Sequence, residues 1–271
     1  MQDILDTAVR AAQAGGAVLA RFRQQQMLLR ARSKPDGSIV TQADKAASEV
    51  VRDIILKRDP HAFILDEEEE LGHYRMRPDQ MWVVDPLDGT SSYIRGEDHF
   101  WTMVARVSHG IPIVGAIYSP STKTTYFGGD RLGVFVQVED RPPIPLTPRR
   151  IMRLDQARLT GHSTARPLYD RIARALNVKE SLAHEPSGGM YAAVLDNKAD
   201  IVITRRNRPS VWDVAAGHAL LRGMDGEMVD LRGNPINYHE HTTLIHGSLA
   251  VVDKGLIPVI LTQLLPYDEL I

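Results

Sequence analysis

Two aspartates lie three residues apart in the segment WVVDPLDGT, which covers residues 82–90 and begins as a hydrophobic run. Like charges repel each other and a buried carboxylate resists desolvation, so Asp85 and Asp88 placed side by side need a compensating partner. A bound cation is one such partner. Carboxylate and carbonyl oxygens are the ligands that Mg²⁺ prefers, and the Leu87 carbonyl lies between the two acids. The segment therefore favours magnesium over zinc or copper.

Two further carboxylate clusters follow apolar runs in the same way, in FILDEEEE (63–70) and SVWDVAAG (210–217). Side chains that leave strand ends in α/β proteins converge on a crevice where ligands bind. A run such as DEEEE is also typical of a solvated loop, because acidic residues prefer the surface. On the residues alone, both interpretations remain open for Glu67 and its neighbours.

Two known acidic motifs do not fit the residues around Asp85. An EF-hand loop alternates its acidic positions and ends in glutamate, whereas DPLDGTSSYIRGE lacks that alternation. Phosphatases that form an aspartyl phosphate use Asp-x-Asp-Gly-Thr, whereas two residues separate Asp85 from Asp88. A covalent aspartyl phosphate is therefore not expected.

The composition is that of a globular protein without a general affinity for polyanions. The 271 residues are 43% hydrophobic and 24% charged, with a formal net charge of −2. Lysine and arginine are scattered, so we expect no nucleic acid polymer as a partner. With no cysteine in the chain, any metal must be held by oxygen or histidine. Residues 1–20 resemble neither a signal peptide nor a membrane span, so we expect no membrane contact and a cytoplasmic location.

Hydrophobic periodicity predicts two helices at the start of the chain. Apolar residues recur at helical spacing from Ile4 to Phe22, and again from Ala43 to Ile55. Thr41 is a suitable N-cap for the second helix. These helices flank the strand-like run that ends at Asp85, and they are the first elements expected to position it.

The middle of the chain predicts a sheet. Residues 100–138 contain strand-like pieces separated by turn signals, a pattern that favours antiparallel pairing.

The proline-rich segment EDRPPIPLTPRR (139–150) lacks periodicity and favours a junction between two lobes. Strands then alternate with helices predicted near residues 166–176, 189–195, 212–223 and 254–265. We therefore predict an N-terminal α+β lobe over residues 1–145, with most metal ligands, and a C-terminal α/β lobe over residues 146–271 that supplies Asp213.

Four segments, in order along nearly the whole chain, resemble the inositol monophosphatase superfamily of Mg²⁺-dependent, lithium-sensitive phosphatases. SIVTQAD resembles the family's Val-Thr-x-x-Asp element, and ILDEE resembles its Glu-Glu element. WVVDPLDGT matches the signature Asp-Pro-x-Asp-Gly-Thr, and VWDVAAGHALLRGMDGEMVDLRGNP resembles the Trp-Asp segment. The signature together with the distal Trp-Asp is a specific combination.

The resemblance implies a fold and a chemistry. The fold is an α/β (α+β) layered α-β-α-β-α sandwich of the inositol monophosphatase and fructose-1,6-bisphosphatase type. The implied activity is hydrolysis of a small-molecule phosphate ester with two or three Mg²⁺ ions, by water and without a side-chain nucleophile. Relatives are commonly dimers, so the resemblance also implies a homodimer.

Position by position, the resemblance implies two cation sites that share Asp85. One is formed by Glu67, Asp85 and the Leu87 carbonyl, and the other by Asp85, Asp88 and Asp213. Paired cations clamp the attacking and leaving oxygens of an in-line displacement.

The resemblance also implies catalytic and substrate-binding residues. Glu67 would orient a metal-bound water, together with Thr90 polarised by Asp44. The amides of Gly89 and Thr90 would meet the phosphate, and Ser91 follows at a position where bisphosphate nucleotidases carry Lys or Arg.

The substrate remains open, because the segment TRRNRPS (204–210) departs from the inositol-specific pattern. Arg205, Arg206 and Arg208 stand where inositol-specific relatives place an acid, and they either bind a second anionic group or form a solvated loop. The alternatives are a 3′(2′),5′-bisphosphate nucleotidase acting on 3′-phosphoadenosine 5′-phosphate, then a histidinol-phosphate or fructose-1,6-bisphosphate phosphatase. A metal-binding regulatory scaffold is the non-enzymatic alternative.

Overall fold

The computed structural model of the chain describes residues 1–25, 32–33, 39–69, 77–162, 166–183, 186–239 and 243–266. At residues 32–33, 39–40, 183 and 205–208 only the backbone is described. The helices are α1 (Gln2–Gln24), α2 (Gln42–Arg58), α3 (Thr90–Ile94), α4 (Arg166–Ala175), α5 (Ser187–Leu195), α6 (Val211–Gly223) and α7 (Ile257–Leu264). Short 3₁₀ helices cover Leu154–Gln156 and Lys254–Leu256. In the described part of the chain, no helix is long and apolar enough to span a bilayer.

The strands form three sheets. Their bounds are β1 (Arg32–Ser33), β2 (Ile39–Val40), β3 (Phe63–Asp66), β4 (Gln80–Asp88), β5 (Trp101–Ser108), β6 (Ile111–Ser119), β7 (Thr124–Gly129), β8 (Gly133–Val138), β9 (Ile144–Pro145), β10 (Arg158–Gly161), β11 (Glu180–Ala183), β12 (Ile201–Ser210), β13 (Glu227–Val229) and β14 (Leu244–Val251). β1 and β2 pair only with each other, whereas β3 to β9 form a seven-stranded sheet in sequence order. The five-stranded sheet has the order β11-β10-β12-β14-β13.

Strand direction follows the predictions for the larger sheet. β3 and β4 are parallel, and every later pair from β4 to β9 is antiparallel, as the turn-rich sequence of residues 100–138 predicts. The five-stranded sheet is mixed, with β10 parallel to both β11 and β12, and β14 antiparallel to β12 and β13. The sequence did not predict β14, the helix α3 or the short strands β1, β2, β9, β11 and β13.

The buried clusters show how the layers stack. α1 and α2 cover one face of the seven-stranded sheet, where Val51 and Ile55 pack with Trp82 and Val104. α5 and α6 lie between the two sheets in the largest cluster. α4 and α7 cover the outer face of the five-stranded sheet, through residues such as Ile172 and Ile260. The α-β-α-β-α sandwich implied by the resemblance is therefore confirmed.

The predicted lobe division at residues 145 and 146 stays a prediction. Near it, the seven-stranded sheet ends with β9, inside the proline-rich segment. Asp200 then ties that segment to the start of the five-stranded sheet: it is fully buried and lies 3.1 Å from both Arg149 Nη1 and Arg158 Nε. Its Oδ2 also accepts the Arg158 backbone N–H at 2.8 Å.

Candidate active site

The alternation of β4 directs Asp85 toward the middle layer. Met81 and Val83 pack in the cluster between the sheets, whereas Trp82 and Val84 face α1 and α2. Because side chains alternate along a strand, Asp85 continues the inward-facing set. The sequence predicts a turn after the apolar run. The strand instead extends to Asp88, with an irregular register between the two aspartates, and such an irregularity re-aims the side chains that follow it.

Asp88 is held by the first turn of α5. Its Oδ1 accepts the Ser187 N–H at 3.1 Å, and its Oδ2 accepts the Gly188 N–H at 2.6 Å. The first N–H groups of a helix lack intrahelical partners and favour negative charge, so α5 orients and stabilises this carboxylate.

Asp213 comes from the first turn of α6. Ser210 and Asp213 form a capping box, in which Asp213 Oδ2 accepts the Ser210 N–H at 2.6 Å. The side chain is therefore fixed by the same local interactions that start the helix. Since α6 packs between the two sheets, this carboxylate is presented toward β4.

These three carboxylates converge. One oxygen from each of Asp85, Asp88 and Asp213 lies within 4.8 Å of the others. Burial and then the negative charges of Glu67, Asp88 and Asp213 raise the pKa of Asp85 well above its usual value. Burial raises the pKa of Asp88 to about 6, against the opposing hydrogen bonds from Gly188 and Ser187. The pKa of Asp213 is also raised well above its usual value, first by burial and then by Asp88 and Glu67.

Such mutually repelling acids fit a divalent cation. A cation within the group would offset both the cost of burying these carboxylates and the repulsion between them, and an all-oxygen donor set suits Mg²⁺. Perturbed acids of this kind cluster at functional sites.

Glu67 lies beside the triad, whereas its neighbour Asp66 does not contribute to it. The Glu67 N–H donates to the Val84 carbonyl at 3.2 Å, and its side chain forms a hydrogen bond that raises the pKa of Asp85. Asp66 is buried and accepts the Ser48 hydroxyl at 2.6 Å and the Glu68 N–H at 2.9 Å. Within the DEEEE run, Asp66 is therefore a structural carboxylate, whereas Glu67 faces the candidate site.

Thr90 connects Leu87 with Asp44. Its hydroxyl lies 3.1 Å from the Leu87 carbonyl and 3.3 Å from Asp44 Oδ1. Asp44 itself is buried in the first turn of α2, where its other oxygen accepts the Thr41 hydroxyl and, at 2.9 Å, the Thr41 N–H. A hydroxyl has one proton to donate, so Thr90 donates to either the carbonyl or the carboxylate at a given moment.

Gly89 makes the turn that places Thr90. Its φ is 90°, a left-handed conformation that glycine adopts readily. A Cβ at this position would lie 2.7 Å from the His99 carbonyl oxygen and 2.9 Å from Pro186 Cγ. Only glycine fits here, and α3 therefore begins with the Thr90 amide next to the acidic group.

The family model described as the inositol monophosphatase family matches residues 1–263. The chain belongs to the inositol monophosphatase family. As a member of this family it is a phosphatase, that is, a phosphoric monoester hydrolase.

Relatives within this family carry different substrate names. The chain is 28% identical to the 3′(2′),5′-bisphosphate nucleotidase CysQ of Escherichia coli (strain K12), over 81% of this chain and 87% of the relative. It is 29% identical to the histidinol-phosphatase of Mycobacterium tuberculosis, over 88% and 89% of the two chains.

Solved structures of the inositol monophosphatase type share the fold. A Thermotoga maritima IMPase superposes with a TM-score of 0.80 at 20% identity, covering 99% of both chains. The inositol monophosphatase from Anabaena superposes with a TM-score of 0.76 at 26% identity, covering 98% of this chain and 96% of the other.

The remaining predicted substrate-binding residues, Ser91 and the three arginines, stay predictions. Ser91 is exposed in the first turn of α3. Arg205, Arg206 and Arg208 lie in β12, whose pairing with β14 is irregular between Arg206 and Ser210, so the expected loop is a strand. The side chains of these arginines lie outside the described residues.

The contribution of α5 to the acidic group was not predicted from the sequence. The helix near residues 189–195 was predicted from its apolar content, which says nothing about the carboxylate that its first turn holds. The Ser-Gly-Gly at 187–189 is the one usable signal, because small residues allow close backbone approach. A Cβ on Gly188 would lie 2.5 Å from the Trp101 ring.

Proposed function

We propose that the chain is a Mg²⁺-dependent phosphatase that hydrolyses a small phosphate monoester at the group formed by Asp85, Asp88 and Asp213. The single observation that carries this proposal is the convergence of the three carboxylates within 4.8 Å. Glu67 and the Leu87 carbonyl are the further oxygens that would hold cations there. Bound at such a group, divalent cations neutralise phosphate charge and lower the pKa of water.

The remaining residues position the substrate and the proton path. The amides of Gly89 and Thr90 belong to the start of α3, where N–H groups without intrahelical partners suit a phosphate oxygen. The Thr90 hydroxyl, held between Leu87 and Asp44, is placed to pass a proton from attacking water to the Asp44 carboxylate.

We infer a polyol or similar small monophosphate as the first substrate candidate. The second is 3′-phosphoadenosine 5′-phosphate, favoured by the similarity to CysQ, followed by histidinol phosphate and fructose 1,6-bisphosphate. Met190 weighs against the nucleotidase alternative. By resemblance, its position is that of the lysine in the nucleotidases' Gly-Ser-x-x-Lys element, and it is only 2% exposed, in the cluster between the sheets.

Turnover of four phosphate esters tests the proposal. The panel comprises inositol 1-phosphate, 3′-phosphoadenosine 5′-phosphate, fructose 1,6-bisphosphate and histidinol phosphate, each compared by kcat/KM with Mg²⁺ and with EDTA. We expect Mg²⁺-dependent release of phosphate, with one ester preferred. No release from any of them, or equal rates in EDTA, would contradict the proposal.

Thr90→Ala is expected to lower kcat far more than it weakens Mg²⁺ binding. The hydroxyl contacts Asp44 and the Leu87 carbonyl without supplying a carboxylate ligand, so its loss affects proton transfer, by about 10²–10⁴-fold in kcat. Single-turnover kinetics and Mg²⁺ titration measure the two effects. Thr262→Ala, which removes an exposed hydroxyl bonded to the Pro258 carbonyl in α7, is the control. The reverse ordering would make Thr90 a structural support.

Alanine substitution of Arg205, Arg206 or Arg208 tests the substrate directly. A charge-assisted hydrogen bond is worth about 1.5–3 kcal/mol. The responsible substitution should therefore raise KM for 3′-phosphoadenosine 5′-phosphate by about 10- to 100-fold and leave inositol 1-phosphate nearly unchanged. Small and equal effects on both substrates would mean that the arginines are solvated, and would favour a monophosphate.

Three finer properties that the family resemblance implies remain proposals. They are inhibition by lithium, binding of two or three Mg²⁺ ions and assembly as a homodimer. Each has a direct measurement, namely lithium titration of turnover, calorimetric stoichiometry and sedimentation.

A further inference from the structure

The Tyr191 hydroxyl has no hydrogen-bond partner among the described residues, although the side chain is only 1% exposed. Buried tyrosine hydroxyls normally find a partner, because an unpaired one retains its full desolvation cost. Three other buried tyrosines of the chain do so. Tyr93 donates to the Leu19 carbonyl, Tyr126 donates to Asp196, and Tyr238 bonds His218 Nδ1. Tyr191 therefore differs from its counterparts in the same protein.

The Tyr191 ring is fixed between the two helices that hold the acidic group. It lies one turn after Ser187 and Gly188, whose N–H groups bind Asp88. A Cβ added to Gly217, one turn after Asp213 in α6, would lie 2.4 Å from Tyr191 Cγ and Cδ2. The ring thus packs directly on α6, and a close approach made possible by glycine holds it there.

The charges of the acidic group reach this phenol. Burial first, and then the carboxylates of Asp213 and Asp88, raise the pKa of Tyr191. A phenol is protonated at neutral pH in any case, so the Tyr191 hydroxyl is a hydrogen-bond donor.

We infer that Tyr191 is a positioning residue of the acidic group, whose hydroxyl donates its hydrogen bond when cation and phosphate occupy that group. This inference rests on the proposed function. The hydroxyl has no acceptor among the described residues, and the oxygens of a bound phosphate would be acceptors for it. The residue therefore lowers the stability of the empty protein and contributes to binding in the loaded one.

Tyr191→Phe, which deletes only the hydroxyl, tests this inference against Tyr126→Phe. In EDTA, Tyr126→Phe should lower Tm because it breaks the 2.8 Å bond to Asp196, whereas Tyr191→Phe should raise Tm by about 2 °C because it removes an unpaired donor. With Mg²⁺ and inorganic phosphate in calorimetry, Tyr191→Phe should weaken binding by about fivefold. It should also lower kcat/KM by about tenfold, while Tyr126→Phe changes neither binding nor turnover.

Two results would overturn the inference. A Tm loss in EDTA equal to that of Tyr126→Phe would mean that the hydroxyl already has a partner in the empty protein. Binding of Mg²⁺ and phosphate within twofold of the original chain would mean that the hydroxyl only fills space. The binding measurement also keeps the inference separate from the proposed function: an unsubstituted chain that binds both ions but hydrolyses no ester contradicts the function alone, whereas one that binds neither ion contradicts both.

Discussion

Asp85→Asn is expected to leave the chain folded and to reduce phosphate release by several orders of magnitude. Burial raises the pKa of Asp85, and the charges of Glu67, Asp88 and Asp213 raise it further, so it lies where their charges meet. An amide oxygen in its place weakens every cation site that shares this residue, and electrostatic stabilisation of this kind is often the largest contribution to catalysis.

The same substitution should have the opposite effect on the empty protein. Removing one of several buried like charges relieves repulsion, so Tm in EDTA should stay the same or rise, and the increase in Tm caused by Mg²⁺ should disappear. Melting curves with and without Mg²⁺, beside turnover of the preferred ester, measure both effects. Near-normal turnover in the variant would refute the assignment of Asp85.

Asp200→Ala is expected to lower the free energy of unfolding by about 3–5 kcal/mol, because it leaves two arginines without a buried partner. Asp200 is fully buried, pairs with Arg149 and Arg158, and accepts the Arg158 N–H. Urea unfolding measures the loss. Turnover per folded molecule should remain unchanged, since Asp200 belongs to none of the elements that hold the acidic group.

Asp155→Ala is the matched control for this substitution. It also removes an aspartate from an arginine pair, but Asp155 and Arg153 are both solvent-exposed. Exposed pairs contribute about 0–1 kcal/mol, so the control should lose little stability. A similar loss in both variants would show that burial does not decide the strength of the Asp200 interactions.

Local sequence signals accounted for the parts of the site that depend on neighbouring residues. The capping preference of Thr41 predicted the start of α2, and with it the position of Asp44 in the first turn. The apolar run before Asp85 predicted a buried strand that ends in carboxylates. The same pattern of an apolar run followed by a carboxylate made Asp213 a candidate, and the family resemblance added its role as a ligand that shares a cation with Asp85.

Long-range packing accounts for what the sequence could not predict. The contact between Asp88 and the first turn of α5 depends on how α5 enters the middle layer, and no spacing in the sequence encodes it. Residues 204–210 belong to strand β12 because they lie along β14. This long-range pairing overrides the turn preference of Asn207 and Pro209. The position of the Tyr191 ring, whose hydroxyl has no partner among the described residues, likewise depends on the close approach of α6 at Gly217.

The position of α6 between the sheets has a consequence for the order of folding. Asp85 and Asp88 belong to a sheet whose last strand ends at Pro145, whereas Asp213 lies in a helix that also packs against β12, β13 and β14. Bringing together segments so distant along the chain costs loop-closure entropy. A cation that needs all of these segments can bind only after this cost has been met. The cation site that needs Asp213 is therefore complete only when α6 has packed, whereas Glu67, Asp85 and the Leu87 carbonyl all lie at the first sheet.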